Sequence, residues 1–249
     1  MKYFLTIAAS DNSGGAGIQQ DMKVANELGY WALSAVTGIT VQDFYNVNYI
    51  EAVKSSLVFS QVEKCLSAFP VKAVKVGAVC SLENIQMIAE CFKKFKIDNI
   101  VLDTVLSSSS GMKFLDRSSL DVIKKELFPL ATIITPNKPE FEILSNEKFS
   151  TIDEGVAIAV EKCKEWDTAI LLKGGHFENK IIEEALISDE GVLRFQRGRS
   201  HFKYQHGTGC TLSSALACFM GNGLSLENSY KQASGYLLKH YDLLQNKLQ

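Results

Sequence analysis

The chain has 249 residues, of which 46% are hydrophobic and 22% charged, an average globular composition. Its formal net charge of −2 supplies no basic field to recruit nucleic acid or an anionic membrane. The six cysteines are irregularly spaced without a C-x-x-C pair, which argues against a disulfide scaffold or a zinc site. No signal peptide or membrane span is apparent. We expect a soluble, cytoplasmic protein with one domain over residues 1–249.

Short apolar runs alternate with amphipathic stretches along the chain. The apolar runs carry many β-branched residues and predict buried strands over Phe4–Ala9, Ala32–Val41, Ala73–Val76, Ile100–Leu102, Thr132–Ile134 and Ala169–Leu172. Apolar residues at helical spacing predict helices over Leu57–Phe69, Leu82–Phe95, Leu120–Leu127 and Ile152–Trp166.

The last third of the chain has two further patterns. Turn residues Asp189-Glu190-Gly191 divide two strand-like runs and predict a β-hairpin over Ile181–Phe195. Thr211–Leu244 predicts two helices that are separated near Gly221-Asn222-Gly223. Alternation of strands and helices predicts an α/β fold with a mostly parallel sheet between two helical layers. Ligands of such folds bind beyond the carboxyl ends of the strands.

A glycine-rich motif at the start of a predicted helix is the strongest chemical signal. It reads His206-Gly207-Thr208-Gly209-Cys210-Thr211. The two glycines let successive N–H groups converge, and the helix dipole adds positive charge, so the motif predicts an anion hole for a phosphoryl group. A turn capped by Thr208 is the structural alternative. At a helix start the thiol pKa of Cys210 could be lowered, although a buried small residue fits equally.

A second glycine-rich stretch, Ser13-Gly14-Gly15-Ala16-Gly17, follows the first strand and leads into a helix. It is neither a dinucleotide fingerprint nor a P-loop, because the required glycine spacing and the Gly-Lys-Ser/Thr sequence are missing. A strand that runs into such a turn allows a ligand to approach the backbone. A plain helix start explains the same residues.

Polar residues follow three of the predicted strands. Asp103, Asn137 and Glu140 offer the hard oxygen ligands that Mg²⁺ prefers, although each could instead cap a helix or a turn. Lys173, followed by Gly174-Gly175-His176, could neutralise triphosphate charge while Gly175 and its neighbour let a nucleotide lie close to the backbone. An ordinary turn is the alternative for this segment.

Taken in chain order, these motifs resemble the ribokinase-like superfamily and, within it, the hydroxymethylpyrimidine/phosphomethylpyrimidine kinases of thiamine biosynthesis. The similarity extends over nearly the whole chain. It rests on Ser13–Asp21, Thr40-Val41-Gln42, Lys75-Val76-Gly77, Val101–Val105, Ile134–Glu140, Lys173–His176 and His206–Thr211. Sugar kinases of the superfamily usually have Asp where Cys210 stands, so the last motif is specific.

The resemblance implies a set of roles. Gln42 matches a glutamine that reads the edge of the pyrimidine, and its pocket is lined at positions matching Asp21, Ala9, Val105 and Thr40. Asp103 and Glu140 match the groups around Mg²⁺ and phosphate, and Asn137 and Lys173 belong to the ATP side. Gly207, Thr208, Gly209 and Cys210 match the catalytic anion hole, with Cys210 as a candidate base. A homodimer is also implied.

Differences from the family pattern bear on substrate identity. Ala78 stands where the family often has Met, and Asp43-Phe44 follows Gln42 in place of Asn-Thr. The alternatives are therefore a pyridoxine or pyridoxal kinase of the same superfamily and a noncatalytic pyrimidine-binding sensor. A nicotinamide-dependent oxidoreductase would need the absent dinucleotide fingerprint.

Overall fold

A computed structural model describes residues 1–107, 111–175, 181–199 and 206–247, without the side chains of residues 246 and 247. Its nine strands form one sheet in the order β3-β2-β1-β4-β5-β6-β7-β8-β9. The strands are β1 Lys2–Ser10, β2 Tyr30–Gln42, β3 Val47–Ala52, β4 Val71–Val76, β5 Ile100–Leu102, β6 Ile133–Ile134, β7 Ala169–Leu172, β8 Ile181–Ser188 and β9 Gly191–Gly198.

Eight α-helices connect or follow these strands. They are α1 Gly17–Glu27, α2 Ser55–Ala68, α3 Leu82–Phe95, α4 Arg117–Glu126, α5 Lys138–Ser145, α6 Ile152–Trp166, α7 Thr208–Gly221 and α8 Leu226–Lys247. A short 3₁₀ helix spans Phe128–Leu130. Among the residues described, no helix is both long and apolar enough to cross a membrane.

The central six strands, β2-β1-β4-β5-β6-β7, pair in parallel, while β3 and β8 pair antiparallel to their neighbours. Alternate strand residues fill two separate cores. Leu5 and Val74 pack with α2, α3, α4 and α6 on one face, whereas Phe4 and Ala73 pack with α1, α7 and α8 on the other. The predicted three-layer α/β/α architecture is confirmed. Burial of both sheet faces explains the continuous apolar strand sequences.

Local sequence signals account for several helix ends. Ser81 caps α3 through the N–H of Asn84, and Thr151 with Glu154 forms a capping box at α6. The predicted hairpin is confirmed, with β8 and β9 joined at Ser188 and Gly191. The sequence interpretation missed β3, an edge strand whose side chains are mostly exposed and therefore lack a buried apolar run.

Candidate active site

A cavity of about 760 Å³ lies beyond the carboxyl ends of the parallel strands. Its wall includes residues from every predicted motif, although not all predicted residues reach it. In chain order these are Ala9, Thr40, Gln42, Asp103, Val105, Asn137, Glu140, Lys173 and the segment Gly207–Cys210. The fold therefore brings together residues that are up to about two hundred positions apart in the sequence, as the parallel topology predicts.

The segment Gly207–Cys210 forms the start of α7 at the cavity wall. Gly207 is the N-cap residue, with φ at 81°, and no side chain caps the helix. The alternative in which Thr208 caps a turn is thus not what the structure shows. A Cβ at Gly207 would lie 1.9 Å from the carbonyl oxygen of Gly15, so only glycine fits. Because the first helical N–H groups lack intrahelical acceptors, those of Thr208, Gly209 and Cys210 are available to an anion.

The glycine-rich stretch Ser13–Gly17, together with Asp11 just before it, packs directly against the loop at Gly207. The Asp11 carboxylate accepts hydrogen bonds from the N–H groups of Ser13 and Ala16, both at 2.7 Å, and contacts His206 Nε2 at 2.9 Å. Burial opposes ionisation, but the hydrogen bonds from His206 and Ser13 hold the pKa of Asp11 well below its ordinary value. The carboxylate consequently fastens the two loops to each other.

Asp103 and Lys173 form a nearly buried ion pair under the start of α7. Lys173 Nζ lies 3.2 Å from Asp103 Oδ1, and the hydroxyls of Thr135 and Ser213 donate to the same carboxylate at 3.1 and 3.2 Å. Burial alone would raise the pKa of Asp103, but the positive charge of Lys173 lowers it below the ordinary value. A Cβ at Gly209 would lie 3.5 Å from Asp103 Oδ2 and 3.8 Å from Lys173 Nζ, which places the pair beside the anion-binding loop.

Glu140 and Asn137 lie at the cavity wall and also form a capping box at α5. The N–H of Glu140 donates to Asn137 Oδ1 at 3.0 Å, and the N–H of Asn137 donates to Glu140 Oε2 at 2.9 Å. Thr104 Oγ1 donates to the same Oε2 at 3.0 Å. Burial raises the pKa of Glu140 despite the nearby Lys173. The capping alternative is therefore real for both residues, and Glu140 Oε1 and Asn137 Nδ2 have no hydrogen bond among the described residues.

The carboxylates suit a magnesium ion better than a metal that needs a protein cage. No group of three or more His, Cys, Asp or Glu side chains that could hold a metal occurs in the described part of the chain. Asp103 and Glu140 nevertheless provide two hard oxygen donors at one cavity. Mg²⁺ is commonly bound by one or two carboxylates together with substrate phosphates, so this donor set fits that ion.

The side of the cavity for which the resemblance implies an acceptor pocket is formed by β1, β2 and the loop after β5. The N–H of Gln42 donates to Asn12 Oδ1 at 2.8 Å, and Asn12 Nδ2 donates back to the Gln42 carbonyl at 2.9 Å. This pairing fixes the Gln42 backbone and leaves its side-chain amide without a hydrogen bond among the residues described. Thr40 Oγ1 instead donates to the Ser10 carbonyl at 2.9 Å, which makes Thr40 a wall residue with an engaged hydroxyl.

Two predicted site residues are not placed on the cavity wall. Asp21 is completely buried beneath it and contacts Lys75, while Gly175 is exposed and its carbonyl accepts a hydrogen bond from Arg199. His176, the end of the Lys173 motif, lies outside the described residues. The direct acceptor contact expected for Asp21 and the nucleotide contact expected for Gly175 thus receive no geometric support.

The structure also reverses the expected direction of the pKa of Cys210. Burial raises the thiol pKa to about 11, although the charge of Lys75 and a hydrogen bond from the Gly17 N–H both act to lower it. The thiol is thus neutral near pH 7. A resting thiolate base is not supported, and Cys210 contributes to the shape and hydrogen bonding of the anion-binding loop.

Several site residues were missed in the sequence. Thr104, Thr135 and Ser213 orient the two carboxylates through hydroxyl donors, and Lys75 forms part of the cavity floor. Thr135 stands directly after a predicted strand and Thr104 two residues after another, a signal that could have been used. Ser213 lies inside an apolar helical pattern, and no sequence pattern distinguishes it from a helix-packing serine.

An anion-binding loop beside a buried carboxylate–lysine pair is suited to holding a phosphoryl group in transfer. On this three-layer fold, it defines a phosphotransferase of the ribokinase-like class. The chain belongs to the family described as phosphomethylpyrimidine kinase, which matches residues 11–247.

Individual relatives agree with this membership. A hydroxymethylpyrimidine/phosphomethylpyrimidine kinase of Rhizobium meliloti is 34% identical over 94% of this chain and 88% of its own length. The crystal structure of phosphomethylpyrimidine kinase from Clostridium difficile superposes with a TM-score of 0.85 at 32% identity, covering 96% of this chain and 99% of that one. The structure of a Staphylococcus aureus pyridoxal kinase in complex with AMP-PCP and pyridoxal superposes with a TM-score of 0.86 at 25% identity. The superposition covers 96% of this chain and 87% of that one.

Proposed function

We propose that this protein transfers the γ-phosphoryl group of ATP to 4-amino-5-hydroxymethyl-2-methylpyrimidine and to its monophosphate, in thiamine biosynthesis. The observation that carries the proposal is the position of Gly209 directly above the Asp103–Lys173 pair. This position brings the start of α7, where backbone N–H groups can bind an anion, next to the negative charge of Asp103 and the positive charge of Lys173. The names of the relatives support the acceptor, and the S. aureus kinase in complex with AMP-PCP supports ATP as donor.

Phosphoryl transfer depends mainly on positioning and on stabilising charge. In our proposal the N–H groups of Thr208, Gly209 and Cys210 hold the γ-phosphate oxygens, and Lys173 offsets their negative charge. Asp103 and Glu140 would hold Mg²⁺, which when bound neutralises phosphate charge.

Gln42 provides the selectivity for the acceptor ring in this proposal. Its side-chain amide can donate to one ring atom and accept from another, while Asn12 fixes the backbone that carries it. Such a site rejects rings that lack the matching groups. Because the Cys210 thiol is neutral, the hydroxyl proton passes late, in a loose transition state, to an oxygen of the transferred phosphoryl group rather than to a preformed thiolate.

A pyridoxal kinase is the second candidate, favoured by the fold similarity to the S. aureus enzyme. The deciding experiment measures ADP release with ATP and Mg²⁺ for four acceptors: hydroxymethylpyrimidine, its monophosphate, pyridoxine and pyridoxal. We expect both pyrimidines to be phosphorylated with kcat/KM at least about tenfold above the pyridines, the scale of one lost polar contact. A preference for pyridoxal would replace the proposal, and ATP binding without turnover of any acceptor would favour a sensor.

We also propose that two copies associate through the β2–β3 edge and that the protein works in the cytoplasm. Ile39, Val41 and Tyr49 are each more than half exposed on one side of this edge, an apolar surface of the kind used by protein partners. All six cysteines are free thiols, as in a reducing compartment. Light scattering should give twice the monomer mass of 27.5 kDa, and Val41→Asp should return the mass to that of one chain.

One domain is proposed for residues 1–249, because a single sheet contains all nine described strands. Limited proteolysis should then yield no stable fragment that lacks any of the strands from β1 to β9.

A further inference from the structure

Lys75 is a buried cation to which the proposed catalytic mechanism assigns no role. It lies on β4, where parallel pairing places it beside Thr6 of β1. Its side chain and that of Asp21 are both 0% exposed, and among the described ion pairs theirs is the one with both partners completely buried. Burying two charges is costly and does not by itself stabilise a fold. Stability alone therefore does not explain why the chain buries this ion pair.

Asp21 is held from three different elements. Lys75 Nζ donates to both carboxylate oxygens at 2.9 Å, Thr6 Oγ1 donates to Oδ2 at 2.6 Å, and Ser214 Oγ donates to Oδ1 at 2.8 Å. These contacts from β1, β4 and α7 fix the carboxylate beneath the cavity floor. Asp21 therefore serves as an anchor that cannot itself turn toward a ligand.

Lys75, in contrast, forms part of the cavity wall together with Ala8, Ala9 and Cys210. A Cβ at Gly77 would lie 2.8 Å from Lys75 Nζ, so the glycine makes room for the ammonium group. Burial alone would lower the pKa of Lys75, but the negative charge of Asp21 raises it above the ordinary value, which keeps the group charged. Of the two partners, Lys75 is thus the one that reaches the cavity wall.

One N–H of the ammonium group has no acceptor in the described structure. An ammonium group carries three donors, and the hydrogen bonds of Lys75 among the described residues both end on Asp21. A buried donor of this kind needs an acceptor, and in a cavity that acceptor is a ligand atom. The nearby Cys210 belongs to the anion-binding loop, so such a ligand atom would lie close to the point of phosphoryl transfer.

The two proposed acceptors differ in what they require there. A hydroxymethyl group is neutral and must lose a proton, whereas a phosphate monoester carries a charge of about −1.5 to −2 near pH 7 and must approach the like-charged γ-phosphate. In the second reaction an oxygen of the monoester dianion forms a bond to the γ-phosphorus. The bond from γ-phosphorus to the β-γ bridging oxygen breaks, and its electron pair leaves with ADP, so no proton has to be removed.

We propose that Lys75 is a specificity-determining residue that holds an oxygen of the acceptor's existing phosphate group and thereby permits the second phosphorylation. This inference rests on the proposed function and adds a phosphate-monoester subsite to it. The hydroxymethyl acceptor, which carries no phosphate, depends on Lys75 much less.

The test compares kcat/KM for hydroxymethylpyrimidine and for its monophosphate in the double variant Asp21→Asn/Lys75→Met. Changing both partners avoids leaving one uncompensated buried charge. We expect the ratio of monophosphate to hydroxymethyl kcat/KM to fall at least about tenfold, the scale of one hydrogen bond to a charged group. Ser214→Ala is the matched control, because it loosens the same buried cluster but keeps the ammonium group, and it should leave the ratio unchanged.

A second pair of variants decides the matter if thermal melting shows that the double variant does not fold. Asp21→Asn/Lys75→Gln removes both charges while its two amides can still hydrogen-bond to each other, and it should lower the ratio, whereas Lys75→Arg keeps the charge paired with Asp21 and should retain the ratio within about threefold. Equal losses for both acceptors would assign Lys75 a purely structural role and overturn the proposal. A wild-type protein that phosphorylates only the hydroxymethyl compound also overturns it, while one that phosphorylates neither pyrimidine refutes the proposed function itself.

Discussion

Replacing Lys173 by methionine should expose how the two active-site carboxylates depend on one cation. Lys173 is 13% and Asp103 3% exposed, with 3.2 Å between Nζ and Oδ1. Removing one member of a buried pair costs about 3–5 kcal/mol. For a chain of this size each kcal/mol shifts Tm by about 2–4 °C, so we expect Lys173→Met to lower Tm by roughly 6–20 °C near pH 7.5.

The loss should depend on pH in a specific direction. In the wild type, Lys173 lowers the pKa of Asp103 and opposes the burial that raises the pKa of Glu140. Without Lys173 both pKa values rise above those of the unfolded chain. A carboxyl group whose folded-state pKa is raised contributes full stability at acid pH and loses it as the pH rises. The Tm difference between wild type and variant should therefore be small near pH 5 and large near pH 8.

Thermal melting across this pH range, with and without Mg²⁺, is the assay. Since Mg²⁺ can replace the missing positive charge between the carboxylates, it should raise Tm more in Lys173→Met than in the wild type. Lys93→Met is the matched control: its ion pair with Glu126 is exposed, and its loss should cost less than about 1 kcal/mol at any pH. A Tm deficit that does not change with pH, or that equals the control, would refute this account of the site.

Four further changes address the other walls of the cavity. Gln42→Leu should raise the KM for hydroxymethylpyrimidine at least about tenfold with unchanged Tm, measured by steady-state kinetics. Glu140→Gln should raise the Mg²⁺ concentration for half-maximal activity while the cap of α5 survives, because the amide oxygen can still accept from Asn137; an unchanged Mg²⁺ titration would leave Glu140 as a cap alone. Gly207→Ala should abolish activity, since its Cβ would lie 1.9 Å from a carbonyl oxygen; a fully active variant would contradict this loop geometry. Cys210→Ser should keep kcat within about tenfold, and wild-type kcat should show no thiol ionisation below about pH 9, as its pKa is about 11.

The fold was largely predictable because strands that are buried on both faces of the sheet have nearly continuous apolar sequences. Ile100–Leu102 and Ala169–Leu172 were predicted with the bounds that the structure shows. The strand Val47–Ala52 was not, because an edge strand with exposed side chains needs no apolar run. Its partner, β2, extends to Gln42 and carries that residue to the cavity. The missed strand thus pairs with the strand that carries Gln42, the residue proposed to contact the acceptor.

The site was predictable where a single segment carries the chemistry and much less so where distant residues combine. Gly207–Cys210 could be singled out from its own segment, because glycines before a helix predict an anion site, although a capped turn stayed open as the alternative. Asp21 could not, since its role follows from a contact with Lys75 of β4. The sequence shows Asp21 in a ligand-approach segment but gives no sign that a lysine from another strand occupies both its oxygens.

Cys210 shows why even the direction of a pKa shift needs the tertiary structure. Its position at the start of α7 is visible in the sequence, and a helix dipole there is worth about 0.3–1 kcal/mol, which is less than one pKa unit. Burial opposes this effect and raises the pKa to about 11 despite Lys75. The negative charges of Asp21 and Asp103 also raise the pKa of Cys210. Lys75 therefore interacts electrostatically with three groups at once: Asp21, Asp103 and Cys210. Burial alone would lower the pKa of Lys75, but the same negative charges raise it and keep the ammonium group charged, as the proposed contact with a phosphate oxygen requires.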